Sequence, residues 1–398
     1  MSVEQAPDKL NRYFADLHVH IGRSQSGQPV KISASKSLTF RSIAHEAAKR
    51  KGIAMIGIVD SHSPEVQADM IACLDNGEME EIAGGGIRYQ GTTLLLGVEM
   101  EVRDEGGGPY HLLGFLPNLQ AMQQWTEWMK SCVTNIHLSS QRLRVSGLEL
   151  QQELLARGGI LIPAHIFTPH RGLLGCSSDR LDHRLKADGI AAIELGLSAD
   201  TDMAGRISEL NRYAFLSNSD AHSAQMIGRE CNEFKCAVPS FVELVQTLSG
   251  TNGREIVTNY GLHPLLGKYH STACLNCKTV IAIGHQGACP KCGSNKFVRG
   301  VSGRIEHLAD QDNSQVITRR PPYRQQVPLH FFPGVGRVMR ERLLTEVGTE
   351  MEVLHRAPLE KLIEVAGVRI ADSIIDARDG KLTYTAGSGG TYGKIGHS

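Results

Sequence analysis

Two familiar features are missing from this sequence, and each absence removes a class of protein. Nowhere in its 398 residues do eighteen consecutive apolar residues occur, so no segment reads as a membrane-spanning helix. The opening MSVEQAPDKLNRYF has neither the basic stretch nor the apolar core of an export leader, and the chain is expected in the cytosol with no membrane partner. Net charge is lacking too: 42 Lys and Arg balance 42 Asp and Glu. The balance hides an asymmetry, because after Tyr260 there are 18 Lys and Arg against 12 Asp and Glu, with the basic excess between Lys268 and Arg324. Local positive charge of that kind suits a polyanionic partner. Five of the nine cysteines (Cys73, Cys132, Cys176, Cys231 and Cys236) are scattered and read as reduced thiols. What is present is a hydrophobic fraction of 41%, enough to build the cores of two or three domains.

From Phe14 to Gly250, short apolar runs ending in polar residues alternate with segments of helical period, the pattern of an α/β chain built from strand-helix units. The runs are YFADLHVH, IAMIGIVDSH, TTLLLGVEMEV, YHLLGFL, GILIPAHIF, AAIELGL and YAFLSNSDAH. Helices are expected over Leu38 to Lys51, Leu119 to Val133, Leu148 to Arg157, Asp202 to Arg212 and Pro239 to Ser249, the last capped by Ser240. Seven strands fit a barrel of the TIM type, whose functional residues gather at the carboxyl ends of the strands. The segment 306–328, with DQDNSQ and RRPP, reads as a linker, and the glycine-rich 384–398 as a disordered tail.

The polar residues at the strand ends are of metal-binding type. His18 and His20 stand two apart in DLHVH, a spacing that sends both imidazoles to one side of a strand. Asp60 and His62 follow in VDSH, Glu99 and Glu101 in GVEME, then His111, His165 in PAH, Glu194 in IELG, and Asp220 with His222 in SDAH. More than four nitrogen and oxygen ligands imply more than one cation. Glu101 and Glu194 fit either groups that orient the ligands or plain surface carboxylates, and His222 or Glu101 could assist proton transfer.

A second constellation is Cys274-x2-Cys277 followed by Cys289-x2-Cys292, two knuckles that together make a closed four-thiolate zinc site of structural type. Lys278, Lys291, Lys296, Arg299 and Arg304 around it could contact phosphates or simply solubilise it. Further on, FFPGVGRVMRERLLTEVG and EVAGVRIADSIIDARDG each resemble half of a helix-hairpin-helix motif, which grips a phosphate with amides at a helix N-terminus. Gly334, Val335 and Gly336 would form one grip and Gly367 and Val368 the other, with Arg337, Arg340 and Arg369 close by.

The series DLHVH, VDSH, GVE, His111, PAH and SDAH resembles the polymerase-and-histidinol-phosphatase (PHP) superfamily, which implies a distorted (β/α)7 barrel holding two or three divalent metals (zinc, manganese or magnesium) and hydrolysing phosphoesters. By that likeness His18, His20 and Asp220 would hold the first metal, Glu99 would bridge to a second bound by His111 and His165, and His62 and His222 would hold a third. The chain departs from the superfamily's pattern in two places, with GRSQSG where a further histidine often stands and Ser61 between Asp60 and His62. The whole order, a barrel over 1–260, a zinc ribbon over 261–305 and an all-α helix-hairpin-helix domain over 329–383, resembles the endonuclease Q family. That likeness implies nicking of DNA on the 5′ side of deaminated bases (uracil, hypoxanthine, xanthine) or abasic sites. A pocket for the extruded base would need an aromatic or apolar wall, and Tyr110, Phe167 and His170 are the candidates. Two other readings stay open: a phosphatase of small monoesters, and a DNA-binding protein without catalysis.

Overall fold

A computed structural model describes residues 9–312 and 320–396. β1 (Asn11–Val19), β2 (Met55–Ile58) and β3 (Thr92–Val102) lie side by side and parallel, as befits apolar strands covered on both faces. β4 (Tyr110–Leu116) is antiparallel to β3, and β5 (Ile160–Pro163) is antiparallel to β4. The short β6 (Ile193–Glu194) and β7 (Phe215–Leu216) pair in parallel. Ala191 N donates to Leu161 O at 2.9 Å beside β5, and Ala221 N donates to His18 O at 3.1 Å beside β1. These bonds close the seven strands into the distorted barrel expected from the sequence.

One expectation is corrected by β4. The connection 103–109 is far shorter than the dozen residues a parallel return needs, so β4 runs backwards. His111 therefore lies near the amino end of its strand, opposite Glu101 in register, and still reaches the same rim as the carboxyl ends of the others.

Strand alternation decides which side chains face the barrel's inside. Ala15, Leu17, Leu95, Leu113, Phe115, Ile162 and Leu216 pack together there, while Leu94, Leu96, Val98, Met100 and Leu112 join the helices in a larger core. On β3 the inner face thus carries Glu99 and Glu101, and on β4 it carries His111. On β1, simple alternation would turn His18 away from Leu17. The register against β2 shifts between Asp16 and Val19, and this bulge lets His18 follow Leu17 inward. Asp16 pins the bulge by accepting from Ser219 N at 3.1 Å and Gly228 N at 2.9 Å.

Helices α1 (Phe40–His45), α2 (Pro64–Asp75), α3 (Leu119–Cys132), α4 (Gly147–Ala156) and α5 (Phe241–Ser249) surround the barrel. Thr39, Asn118, Ser146 and Ser240 cap four of them by accepting backbone N–H groups. α1 continues as a wider turn, Glu46–Lys51, that ends at Gly52. The helix expected over Asp202 to Arg212 is instead two short pieces, Thr201–Ala204 and Ser208–Arg212, broken at Gly205. Among the described residues no helix is long and apolar enough to cross a membrane.

Outside the barrel, β8 (Cys231–Cys236) and β9 (Glu255–Gly261) extend the sheet from β1, and β10 (Tyr323–Gln325) joins β9 in parallel. The segment read as a linker thus includes a strand. It is an edge strand, where Pro321 and Pro322 can stand just before it without losing a ladder bond. Residues 313–319, also part of that segment, lie outside the described residues.

The C-terminal helices α6 (Arg337–Glu346), α7 (Glu350–His355), α8 (Leu359–Ala366) and α9 (Val368–Arg378) dock onto the end of α1. Arg50 grips Glu341 through two bonds of 2.8 and 2.7 Å, and Lys51 meets Glu350 at 2.5 Å in a buried pair.

The tail expected to be disordered is a docked hairpin, Thr383–Thr385 against Lys394–Gly396. Its glycines serve close approach. A Cβ at Gly387 would lie 2.6 Å from Gly267 O, and one at Gly393 would lie 2.7 Å from Leu265 O. Residues 397–398 lie outside the described residues.

Candidate metal centre

The Nε2 atoms of His18 and His20 are buried and have no hydrogen-bond partner. Each lies 3.5 Å from Asp220 Oδ1 and 3.4 Å from an oxygen of Glu99. Those gaps are too long for good hydrogen bonds. They match the edge of a tetrahedron of donors, since bonds of about 2.1 Å to a cation set neighbouring ligands about 3.4 Å apart. Glu99 also lies 2.8 Å from His111 Nδ1 and 3.4 Å from His165 Nε2. Three groups could each hold an ion: His18, His20 and Glu99; Glu99, His111 and His165; and His20, Asp220 and His222. Shared members fuse them into one cluster.

Carboxylates behind the imidazoles orient them. Glu194 Oε2 faces His18 Nδ1 at 3.0 Å, and also accepts from Asn218 Nδ2 at 2.9 Å. Of the two readings left open for Glu194, burial and these bonds select the orienting one. Asp60, expected as a ligand, is corrected to the same role. Its Oδ2 sits 3.1 Å from His20 Nδ1 and accepts from Ile21 N at 2.7 Å, so it points at the wrong nitrogen of His20 to share an ion with Nε2. Burial opposes ionisation of Asp60, but His20 and Lys31 hold its carboxyl at about 2. His62, also expected as a ligand, joins none of the three groups: its Nε2 is 3.3 Å from Leu138 O.

Glu101 is salted to Arg142 at 2.6 Å and to Arg171 at 2.8 Å. Burial is outweighed by His111 and these guanidiniums, which hold the carboxyl at about 2, so Glu101 is a fixed anion and not a proton donor. Burial and the nearby His20 keep His222 below its ordinary value, a neutral imidazole at the cavity wall. For Glu99, burial is overcome by His111, Lys31 and His20, and its carboxyl is held well below the ordinary range.

Backbone strain marks the site. His165 and Asp220 have φ of 30° and 46°, the left-handed region that side chains disfavour. Gly196 makes room for the former, since a Cβ there would lie 2.9 Å from His165 Cβ.

Sequence reasoning missed Lys31. Its Nζ lies 3.0 Å from Glu99 Oε2 and 2.5 Å from Ser140 Oγ, and Ser140 in turn bonds Glu99. A lysine in a polar loop carries no signal of such a place. Arg229, another omission, donates from Nε to Ser219 O at 2.8 Å, beside Asp220.

The cluster floors a cavity of about 690 Å³ that His170, Tyr269, Lys268 and Tyr392 help to line. Of the three residues expected to wall a base pocket, only His170 is there. Tyr110 neighbours His111 on β4 and so faces the opposite way, into the core, where its OH bonds Asp104 at 2.5 Å. Phe167 is likewise core.

In the ribbon, Cys274 and Cys292 sulfurs are 3.6 Å apart and those of Cys277 and Cys289 3.5 Å, too far for disulfides and close to the edge of a tetrahedral thiolate site. The two knuckles match: Lys278 N donates to Cys274 O and Gly293 N to Cys289 O, both at 2.9 Å, with φ of 59° and 69°. Arg304 is not a free phosphate contact, because Leu174 O, Ser178 O and Asp179 take its guanidinium.

Gly334, Gly336, Arg337, Gly367, Val368 and Arg369 are exposed on the last domain. Gly336 caps α6 and Gly367 caps α9, and Gly334 lies against Ile370, so the two glycine turns are neighbours. Val335 is corrected to a core residue, its apolar side chain packed inward. Arg340 is mostly covered and lies 3.7 Å from Glu341.

A family model described as PHP-associated matches residues 200–251, the segment that carries Asp220 and His222. Uncharacterized protein YqxK of Bacillus subtilis is 48% identical over 388 residues, which is 97% of this chain and all of that protein. The crystal structure of the lesion-specific endonuclease PfuEndoQ from Pyrococcus furiosus superposes with a TM-score of 0.83 at 33% identity, covering 97% of this chain and 95% of that one. The chain belongs to the endonuclease Q family. Another endonuclease Q structure, a complex with a 27-mer duplex substrate carrying an abasic lesion at the active site, matches with the same TM-score and identity over 97% of this chain and 96% of its own. Membership of the endonuclease Q family also explains why the likeness does not stop at the barrel: it runs through the ribbon and the last domain.

Proposed function

We propose that this protein is a metal-dependent DNA repair endonuclease that hydrolyses one phosphodiester of duplex DNA on the 5′ side of a deaminated base or abasic site. The observation that carries the reading is the fused ligand cluster at the floor of an open cavity, in a chain like an endonuclease Q over 97% of its length.

His18, His20, Glu99 and Asp220 would hold one divalent ion and Glu99, His111 and His165 a second, while His20, Asp220 and His222 offer an alternative to the first position, since the one lone pair of His20 Nε2 serves a single ion. Such ions neutralise the phosphodiester, lower the pKa of a bound water and stabilise the leaving oxygen. The protein's own groups do the positioning. Glu194 and Asp60 fix the tautomers of His18 and His20 so that Nε2 keeps its lone pair for the cavity. Lys31 adds a fixed positive charge beside Glu99, and neutral His222 can pass a proton at the cavity wall. The four ribbon thiolates suit one structural zinc. The paired turns at Gly334, Gly336 and Gly367, with Arg337 and Arg369, would grip the DNA backbone without reading sequence.

The test is to incubate the purified protein with Mn²⁺ or Mg²⁺ and end-labelled duplexes carrying uracil, hypoxanthine, an abasic site or no lesion, beside His18→Ala and Asp220→Ala. A lesion-dependent nick 5′ of the modified nucleotide, lost in both variants, is expected. No cleavage of any duplex, together with turnover of a small phosphate monoester, would overturn the proposal in favour of a phosphatase.

A further inference from the structure

The lining of the cavity combines two chemistries. One is the ligand cluster; the other is aromatic, supplied by Tyr269, Tyr392 and His170. Tyr269 and His170 meet edge to face with centroids 5.5 Å apart. Tyr392 comes from the C-terminal hairpin, and the hairpin is fastened in a way that fixes where this ring goes. Gly387 N donates to Leu265 O at 2.6 Å, Gly393 N to Leu266 O at 3.0 Å and Gly390 N to Lys268 O at 3.1 Å, while Tyr384 stacks on His263 at 4.4 Å.

So held, the Tyr392 hydroxyl accepts from Arg229 Nη1 at 2.9 Å, and Lys268 Nζ lies 4.5 Å from the ring centroid. Arg229 also bonds Ser219 O, the residue before Asp220, so one guanidinium ties the hairpin to the ligand cluster. Tyr392 is only half-buried and its ring borders the cavity.

We infer that the C-terminal hairpin is one wall of the substrate cavity and that Tyr392 is a specificity residue against which the extruded nucleobase beside the scissile phosphate packs. The inference rests on the nuclease proposal and extends it to the residue that senses the base. A nucleobase has apolar faces and polar edges, and the cavity lining offers tyrosine rings together with Arg229, Lys268 and Ser198. An abasic nucleotide has no ring to pack, which provides the discriminating measurement.

The metal-loaded full chain, Tyr392→Ala, Tyr392→Phe and a chain ending at Leu382 are compared on uracil, hypoxanthine and abasic duplexes, with thermal unfolding and bound-metal content as controls for folding. In Tyr392→Ala and the shortened chain, the ratio of kcat/KM on base-containing lesions to that on the abasic site should fall about tenfold, within the worth of one base-aromatic stack. Tyr392→Phe, which keeps the ring, should restore the ratio. An unchanged ratio in Tyr392→Ala, or equal losses on all duplexes, would overturn the inference while leaving the nuclease proposal standing. A wild-type chain that nicks none of the duplexes would remove both.

Discussion

Glu194 Oε2 lies 3.0 Å from His18 Nδ1, while the opposite nitrogen of the same ring faces Asp220 at 3.5 Å. A carboxylate placed there accepts a hydrogen bond from Nδ1–H, the tautomer that would leave Nε2 as a lone-pair donor to a cation. In Glu194→Gln one acceptor oxygen becomes an NH₂ group that faces the donors His18, Asn218 or the His165 amide. Divalent-metal affinity should fall about 10- to 100-fold. Competition with a chromophoric chelator measures it, and an unchanged affinity would refute the orienting role.

The strand ends announced most of the cluster, because His, Asp and Glu at the ends of apolar runs are legible without any structure. Distance is not legible in the sequence, and sense is legible only outside the strands. The limits of β3 and β4 match the apolar runs, yet nothing in YHLLGFL says that the strand runs backwards; the short glycine-rich connection before it does. The parity of β1 likewise depends on a bulge at Asp16 that no period reveals. Asp60 and His20 lie 40 residues apart, and whether that carboxylate faces Nδ1 or Nε2 is a matter of loop geometry. The tail misled because glycine richness signals flexibility and close backbone approach equally well. At Gly387 and Gly393 it is the latter.

Buried Glu230 gives a pH dependence with a definite sign. Burial pushes its carboxyl up to about 8, although Leu262 N–H donates to it at 2.9 Å. The unfolded chain releases this proton near the ordinary value of about 4.3. Between those limits the folded state holds more protons, so this contribution is complete below about pH 4 and is lost as pH rises to about 8, by up to ~1.4 kcal/mol per unit. Glu230→Gln keeps the acceptor for Leu262 and should flatten the decline. Urea unfolding at pH 5.5, 6.5 and 7.5 checks it; parallel slopes in the two proteins would count against the buried acid.

Lys51 and Glu350 join the barrel to the last domain with 4% and 5% of their side chains exposed. Lys51→Met strands a buried carboxylate, and should cost about 3–5 kcal/mol of stability. The double variant Lys51→Met/Glu350→Leu, with neither charge left, should be more stable than either single one. Chemical denaturation of all four proteins tests this, and additive losses in the double variant would contradict the pairing.

The ribbon's own apolar cluster is small: Cys274, Ile281 and Cys289 are its buried members, with Cys277 and Phe297 partly covered. So few side chains cannot hold two knuckles together without a cation. Cys277→Ser should reduce the zinc content by one equivalent and expose the ribbon to proteolysis between Thr272 and Val298, with the barrel left folded. Metal analysis and limited digestion are the measurements, and full zinc retention would rule out the four-thiolate site.

Arg337 and Arg369 are exposed beside neighbouring glycine turns, whereas Arg340 on the same helix as Arg337 is mostly covered. If each exposed guanidinium neutralises one phosphate, it releases one set of condensed counterions on binding, and the slope of log K against log salt should drop by about 0.9 for each arginine removed. Arg337→Ala and Arg369→Ala should therefore weaken binding to lesion and undamaged duplexes alike, because backbone contacts carry no sequence information. Arg340→Ala should leave the slope where it was. Fluorescence anisotropy over a range of KCl concentrations, with Ca²⁺ in place of a catalytic ion, gives all three slopes. A slope that changes with Arg340 and not with Arg337 or Arg369 would move the DNA to a different face of the domain.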